Sequence, residues 1–401
     1  MIGNSLFLAS RSLWWYRGRA AIVVLCIALT FWLPVTVRLL LNQFREDINR
    51  RAAATPLVIG AKGSRIDLAL NALYFDTVAP DQTTMAEAFY VDDSGFATAM
   101  PLHTVYRTQS VNGVTGVPVV GATIEYFEFR GLQIVEGHGL AMLGDCIVGS
   151  NVAADMNLQP GDRILSAPKN AFNLAGDYPL KMNVAGILAP TFSPDDDVIF
   201  VDLKTTWIID GIGHGHQKLD NEEESGGKLL QRDDSSVTAS AAVLPYTEIT
   251  DDNIASFHFH GDEENYPVSA VLAAPPTRKD QTLLLGRYAS VRTETAQCVK
   301  PTEVVDDLMT IVFRVEQLVW VSSLVSTVVT GLLLVLVIAL SVRLRQSEMM
   351  TMFKLGCSRG TVAVVLGMEV ALMVAVGAAI AAGLAYSSTQ LFRESLRSLL
   401  F

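Results

Sequence analysis

Three long apolar runs constrain the fold of this chain more than any other feature of the sequence. They occupy residues 20–41, 317–341 and 361–390 of 401. A bilayer core about 30 Å thick needs roughly 20 apolar residues in a helix, and a helix satisfies its own backbone hydrogen bonds in lipid. The sequence therefore predicts a membrane α-helical protein with three transmembrane helices.

The first run follows a basic tail, so a cleaved signal peptide is the alternative to a membrane anchor. Residues 1–19 carry Arg11, Arg17 and Arg19 and no acid. The apolar stretch, however, is longer than the h-region of a signal peptide. The nearest run of small residues, 52–54, lies beyond a polar stretch. We interpret the run as an uncleaved anchor.

Charge predicts the orientation in the membrane. The tail 1–19 and the loop 342–360 each carry a net charge of +3, whereas residues 42–315 carry −17. Because positive loops stay in the cytoplasm, both basic segments are predicted to be cytoplasmic. The sequence thus indicates a bacterial inner (cytoplasmic) membrane protein with a large periplasmic domain at 42–316. Its acidity argues against nucleic acid as a partner and is compatible with cations.

The pattern within this domain is mixed, which predicts an α+β fold. Apolar spacing favours short helices at 66–75 and 151–157 and a helix at 301–316 that runs into the second span. Residues 123–129, rich in aromatic side chains, and 288–291 are predicted strands. The first three of these five segments follow the helical period, and the last two do not.

The segment 211–265 is polar and acidic and is predicted to form a long irregular excursion. It holds four of the six histidines, as two His-x-His pairs: His214, His216, His258 and His260. Imidazoles beside carboxylates suit zinc or a similar divalent ion. The two pairs are far apart in sequence and need not meet, so a solvated loop that binds nothing stays open as the alternative.

Glu369 is a carboxylate inside the third apolar run. A charged acid near a helix centre costs about 2.5–3.5 kcal/mol on insertion scales, so such side chains usually face protein. We interpret Glu369 as a packing contact; a protonated or snorkelling acid is the alternative. Beyond it, residues 391–401 have apolar side chains on one helical face, which favours either a helix on the lipid surface or a frayed end.

Signatures of catalysis and of a disulfide framework are weak. The sequence has no phosphate-binding loop, nucleophile elbow or zinc-protease helix, which argues against an enzyme. Of the four cysteines, Cys146 and Cys298 share the oxidising side of the membrane. Two cysteines make no framework, and both free thiols and a single bridge remain open.

The cytoplasmic loop 342–360 has more structure than a basic linker requires. Residues 349–355 form a short amphipathic stretch, Gly356 ends it, and the chain then returns to the membrane. This element suits a contact with a cytoplasmic partner. The alternative is a basic loop that only obeys the positive-inside rule.

Several motifs resemble the FtsX-like permeases of the MacB and LolC/LolE type of ABC transporter. In the loop, Glu348 is followed after six residues by a Leu-Gly-Cys-Ser-Arg run, where Cys357 stands for the usual alanine. Residues 367–372 resemble the family's E-A-x-L segment. In the domain, 148–162 resembles G-x-x-x-A followed by L-x-x-G-D, and 184–201 resembles V-x-G-I followed by D-x-x-F-V. Together these motifs cover most of the chain.

The resemblance implies a MacB-like periplasmic domain on a non-catalytic permease subunit. Such permeases work as homo- or heterodimers, pair with a cytoplasmic ABC ATPase, and move the outer domain mechanically against substrate or a periplasmic accessory protein. The resemblance implies no directly bound cofactor, and a zinc ion is indicated by the histidines alone. Family members have four spans, and three apolar runs are present here. The residues that the resemblance assigns to ATPase coupling are Arg343, Arg345, Glu348, Lys354, Leu355, Gly356 and Arg359.

An alternative function follows from the histidines. The chain is then a membrane-anchored periplasmic metal-binding or sensor protein, in a system that handles zinc. The two functions are compatible with one another.

Overall fold

The chain divides into two compact units, which are described separately. One combines Met1–Ile48 with Asp306–Leu400, and the other is Asn49–Val305. The structure, a computed structural model, describes residues 2–75, 81–109, 116–167, 179–215, 229–233, 236–239, 247–290, 296–344, 346–354 and 356–400.

Long helices make up the first unit. They are α1 (Ile2–Trp15), α2 (Arg17–Ala53), and, after the second unit, α9 (Pro301–Leu344), α10 (Gln346–Lys354) and α11 (Arg359–Leu400). Within the part of the chain that the structure describes, three stretches are long and apolar enough to cross a membrane: Arg17–Ala53, Glu316–Leu344 and Arg359–Leu391. The helix predicted at 301–316 does continue into the second apolar run, as α9.

Small and hydroxyl side chains bring α2 close to α9 and α11. The hydroxyl oxygens of Thr30 and Thr330 lie 2.8 Å apart, and the indole Nε1 of Trp32 donates to Ser388 Oγ over 3.0 Å. A Cβ on Gly377 would come within 2.7 Å of Ile27, so the backbone of α11 approaches α2 closely there. Small residues at helix interfaces permit this close approach in lipid, where apolar burial gives no drive to pack.

The second unit is built on one mixed ten-stranded sheet. In spatial order its strands are β16 (Ala296–Val299), β1 (Leu57–Ala61), β15 (Ala270–Ala274), β3 (Thr98–Arg107), β4 (Pro118–Ala122), β9 (Ile199–Asp202), β6 (Asp145–Val148), β8 (Lys181–Leu188) and β5 (Ile134–Gly137), with β7 (Arg163–Leu165) also on β8. The β4–β9 and β6–β8 pairs are parallel and the others antiparallel.

Short helices and strand pairs complete this unit. The helices are α3 (Arg65–Tyr74), α4 (Met85–Asp93), α5 (Ile124–Arg130), α6 (Ser150–Met156), α7 (Leu203–Ile209) and α8 (Arg278–Ser290). The small pairs are β2 (Thr83–Thr84) with β14 (Pro267–Val268), β10 (Gly213–Gly215) with β13 (Phe257–Phe259), and β11 (Leu229–Asp233) with β12 (Ser236–Ala239).

Two of the strand predictions are wrong. Of the predicted strand 123–129, residues 124–129 lie in α5, which Thr123 precedes as N-cap. The buried side chains of α5, Tyr126 and Phe127, are adjacent, and Gly131 in the left-handed region ends the helix. Tyr288 lies in α8, so the closing strand is β16 and not 288–291. The helices predicted at 66–75 and 151–157 are confirmed as α3 and α6.

Among the described residues, two apolar clusters contribute to the core of the sheet unit. One gathers Leu57, Ile59, Trp207 and Val271 among others, and the second gathers Val119, Val148, Met182 and Val201. These side chains come from the central strands and from the helices packed on them. The segment 211–265, predicted to be an irregular excursion, contains β10 near its start and β13 near its end. The ribbon of these two strands lies beside α7 and the first cluster.

Candidate functional site

A two-stranded antiparallel ribbon joins the two ends of the histidine-rich segment. Strand β10 pairs with β13 so that His214 stands directly opposite His258. The ladder extends one step further, because the amide of His260 donates to the carbonyl of Ile212 over 3.1 Å. Forty-three residues separate His214 from His258 in sequence. The pairing brings the two histidine groups together, which the sequence left open.

Three imidazoles gather on one face of this ribbon. His258 and His260 share a face because alternate residues of a strand point the same way. Ring centroids lie 5.0 Å apart for His214 and His258, 4.9 Å for His214 and His260, and 4.8 Å for His258 and His260. One ring nitrogen of each lies within 4.8 Å of the others. His214 is partly buried and the other two are exposed. The fourth predicted ligand, His216, lies outside the described residues.

The opposite face of the ribbon packs against the core. A Cβ on Gly213 would come within 2.6 Å of the Phe259 ring, and one on Gly215 within 2.7 Å of the Phe257 ring. Phe259 also stacks near Tyr266, with ring centroids 6.3 Å apart. The Gly-His-Gly sequence of β10 is therefore explained by packing: the two glycines make room for aromatic rings below, while the histidine points to the other side.

A buried polar network holds the chain just before the ribbon. Asp210, at the end of α7, accepts from Tyr106 Oη and lies 3.0 Å from His103 Nε2. His103 is fully buried on β3. This network fixes the entry to β10 against the main sheet.

Helix α10 ends in a Schellman motif. Gly356 has φ +93°, its amide donates to Phe353 O over 3.0 Å, and the Cys357 amide donates to Met352 O over 3.1 Å. These are the two hydrogen bonds that define the motif, and the left-handed position favours glycine. The predicted glycine stop has this physical basis.

The other residues predicted to contact the ATPase lie at or near the helix ends around α10. Arg343, Lys354 and Arg359 are exposed at the ends of α9, α10 and α11. Arg345 and Leu355 lie outside the described residues, as does the side chain of Glu348. Their role in coupling stays a prediction.

Glu369 is almost fully buried in the helical unit, with 4% of its surface exposed. It lines a small cavity between the end of α9, α10 and the start of α11, together with Val342, Met352 and Val362. A buried position is what the packing interpretation of Glu369 expects.

A buried ionic network that sequence reasoning missed lies where α2 ends. Arg51 Nη1 donates to Asp195 Oδ2 over 2.5 Å and Nη2 to Asp195 Oδ1 over 2.9 Å, which makes the pair bidentate. Tyr126 Oη donates to Asp195 Oδ1 over 2.6 Å. Asp195 follows Ser-Pro at a helical N-terminus, where Ser193 caps it. That capping pattern in the acidic run 195–197 was the available signal.

Burial and neighbouring charges shift the pKa values of the groups in this network. Burial alone would raise the pKa of Asp195, but the Arg51 charge and the hydrogen bonds from Arg51 and Tyr126 outweigh it and hold the pKa below its usual value. Burial raises the pKa of Tyr126, and the Asp195 charge adds to the rise. Burial and the Arg51 charge lower the pKa of Arg130. The network is therefore an ionic pair with a neutral tyrosine at neutral pH.

Cys146 and Cys298, which the charge pattern predicts on the same side of the membrane, lie far apart in this fold. Cys298 is on β16, at one edge of the sheet, and Cys146 is on β6, six strand steps away. At about 4.8 Å per step this is roughly 29 Å, against the 4.4–6.8 Å that a disulfide spans between Cα atoms. A bridge between them is therefore excluded within one chain. Burial raises the pKa of the Cys298 thiol to about 12, and that of Cys146 rises further for the same reason and because of the Asp145 charge.

Comparisons with known proteins find likeness in structure alone. No protein-family model matches the sequence, and no curated protein matches it. The periplasmic region of MacB from Actinobacillus actinomycetemcomitans is similar at 10% identity and a TM-score of 0.36, covering 65% of this chain and 97% of that one. The extracellular domain of the noncanonic ABC-type transporter YknZ from Gram-positive bacteria is similar at 11% identity and a TM-score of 0.33, covering 61% of this chain and 98% of that one.

A third solved structure, a domain of a putative permease protein from Porphyromonas gingivalis, is similar at 9% identity and a TM-score of 0.29, over 62% of this chain and 91% of that one. These names agree with the resemblance drawn from the sequence motifs. At such identities and TM-scores the likenesses carry no argument about function, which has to come from the residues of this chain.

Proposed function

We propose that the chain is the membrane subunit of an ABC-type transporter that couples a separate cytoplasmic ATPase to movement of its outer domain. One observation carries the proposal. Between two helices that are apolar enough to span a membrane stands a short polar helix, α10, which a Schellman glycine ends before the chain turns back into α11. A capped helix of this kind is a defined surface, which a bare linker would not provide.

The charges of this element suit a protein partner. Arg343, Lys354 and Arg359 present cations in a segment whose sequence also offers Glu348. Complementary charges of both signs favour one partner and orientation over others. The ATPase is the partner proposed for this surface, and a pair of permease subunits, homo- or heteromeric, is proposed to form the membrane part.

Helix continuity supports the transmission part of the proposal. Helix α2 runs unbroken from Arg17 to Ala53, and α9 from Pro301 to Leu344. Each therefore contains both an apolar stretch and a terminal turn in the outer domain. Arg51, in the last turn of α2, is tied to Asp195 by a bidentate buried pair. These two helices are the route that we propose for transmission.

Copurification tests the proposal. The full chain, expressed in its own host and solubilised in mild detergent, should bring down an ABC ATPase identified by mass spectrometry. Because α10 is the proposed contact, the double charge reversal Arg345→Glu with Glu348→Arg should lower the recovered ATPase severalfold. Arg11→Glu, which changes a cytoplasmic charge elsewhere, is the matched control and should recover the wild-type amount.

A second pair of variants tests the shape of the element and not its charge. Gly356→Ala strains a left-handed position, at a cost of about 1 kcal/mol. Gly360→Ala adds a Cβ with ordinary contact, 3.7 Å from Ser358 Oγ, and should be neutral. If no ATPase copurifies, or if every variant recovers it equally, the assignment of α10 as the coupling element is wrong.

A further inference from the structure

The histidine face of the β10–β13 ribbon has the donor set of a metal site. Three imidazoles converge from two strands, with one nitrogen of each within 4.8 Å of the others. Zinc–nitrogen bonds of 2.0–2.1 Å in a tetrahedron place ligand nitrogens about 3.3 Å apart. Since two of the rings are exposed, rotation about their side-chain torsions can close this difference without moving the backbone.

The ribbon backbone already holds the ligands in register. His214 and His258 are Cα partners in the antiparallel ladder, and the His260 amide bonds to Ile212 O. Packing of Phe257 and Phe259 against Gly213 and Gly215 fixes which face the imidazoles occupy. The site therefore depends on ordered strands and not on a chance approach of loop side chains.

One ring is also oriented by a backbone carbonyl. His258 Nδ1 lies 3.1 Å from Ser256 O, which can only accept, so Nδ1–H donates. In the neutral ring the lone pair, which is what a metal ion would bind, then lies on Nε2. Such a carbonyl partner is the usual outer contact of a metal-bound histidine, where it fixes the tautomer and the ring plane.

We propose that His214, His258 and His260 bind one divalent zinc ion through three imidazole nitrogens. Three protein ligands leave a fourth coordination position open, which is the arrangement of sites that exchange a water or an outside ligand, whereas closed structural sites use four. Zinc, nickel and copper all accept imidazole, and zinc tolerates the tetrahedral geometry that a two-stranded ribbon offers.

The bound ion would also connect two strands of the fold. It would link β10 to β13 where His214 and His258 pair. The acidic surroundings, with Asp262, Glu263 and Glu264 next in sequence, favour a cation there. This inference goes beyond the permease function and does not depend on it.

Zinc binding to the full chain tests the proposal. The protein should carry a purification tag without histidines and be stripped of metal with a chelator. Competition with a chromophoric zinc indicator should then show one tight site per chain. His258→Ala and His260→Ala should each weaken zinc binding by at least about tenfold, because losing an outer contact alone costs 10–100-fold. Co²⁺ should give the ligand-field absorption of a four-coordinate site, and lose it in both variants.

Controls separate the proposed site from other binding. His138→Ala removes an exposed histidine elsewhere and should keep wild-type affinity. His216→Ala tells whether the neighbouring histidine contributes; full loss in this variant with no effect of His258→Ala would overturn the assignment. So would absence of a stoichiometric zinc site, or equal affinity in all variants. Metal-free thermal unfolding of each variant should match wild type, since His258 and His260 are exposed.

Discussion

At the residue scale, the Arg51–Asp195 pair shows how a buried charge can be tolerated. Asp195 is 1% exposed, and its two carboxylate oxygens accept from Arg51, Tyr126 and Ser193. Taking a carboxylate out of water is costly unless its lone pairs are filled by good partners. The Asp195 lone pairs have such partners. Removing either Arg51 or Asp195 should therefore lower the free energy of unfolding by much more than the intact pair adds to it.

Arg51→Met and Asp195→Asn should each destabilise the outer domain by about 3–5 kcal/mol, because each leaves a buried group without its partner. The double variant should recover part of this loss, since it removes both charges. Thermal unfolding of the full chain in detergent, run as a double-mutant cycle, measures the coupling. Additive losses in the double variant would show that the two groups do not interact.

The same pair predicts a pH dependence. The pKa of Asp195 is lowered in the fold, so its contribution is fully present above the unfolded value of about 3.9 and is lost as the pH falls through the lower folded value. The stability difference between wild type and Asp195→Asn should therefore be constant near pH 7 and shrink below about pH 4. A difference that persists unchanged at pH 2–3 would contradict the ionic account.

At the scale of elements, the glycines of the family-like motifs have packing reasons. A Cβ on Gly149 would come within 2.4 Å of Asp196 O, and one on Gly186 within 2.5 Å of His138 O. Gly161 has φ +95°. The glycines of these motifs are therefore required by close backbone approaches and by a left-handed turn. For this reason the motifs indicate a fold and not a substrate.

How far the sequence predicts the elements depends on the range of the interaction. The helices at 65–74 and 150–156 follow from local periodicity and capping. The pairing of His214 with His258 does not, because it joins residues 44 positions apart in the sequence. The segment 124–130 was mistaken for a strand because aromatic residues favour strands, whereas its packing on Phe200 settles it as a helix. The pairing of Arg51 with Asp195, 144 positions apart, cannot be predicted from local sequence for the same reason.

Helix α11 carries a stripe of small buried residues four positions apart, namely Gly377, Ala381, Ala385 and Thr389. Because a Cβ on Gly377 would lie 2.7 Å from Ile27, Gly377→Ala should push α11 away from α2 and lower the unfolding temperature in detergent. Gly383→Ala, in the same helix with nothing within 4 Å of the added Cβ, is the matched control and should be neutral or slightly stabilising. Equal effects of the two variants would exclude close packing as the cause.

At the scale of the whole molecule, topology decides whether the histidine site and the α10 element face different compartments. The charge pattern predicts that residues 1–19 and 342–360 are cytoplasmic and that the acidic domain is outside. Zinc in the periplasm and ATP in the cytoplasm would then act on opposite sides of one chain. This arrangement is what a transporter subunit needs if an outer ligand is to bias the work of an inner ATPase.

The native cysteines make this topology measurable. Cys146 is fully buried, and the pKa of the Cys298 thiol is raised to about 12, so both should react slowly with a membrane-impermeant maleimide. Cys357 is partly exposed beside α10 and should be the reactive thiol. Intact cells should therefore show little labelling of the wild-type chain, and inside-out vesicles should show strong labelling that Cys357→Ser removes. Adding Glu263→Cys, at an exposed position in the acidic domain, should make the chain reactive in intact cells. Labelling of Cys357 from outside, or of Glu263→Cys only from inside, would reverse the orientation and with it the proposed separation of the zinc site from the ATPase contact.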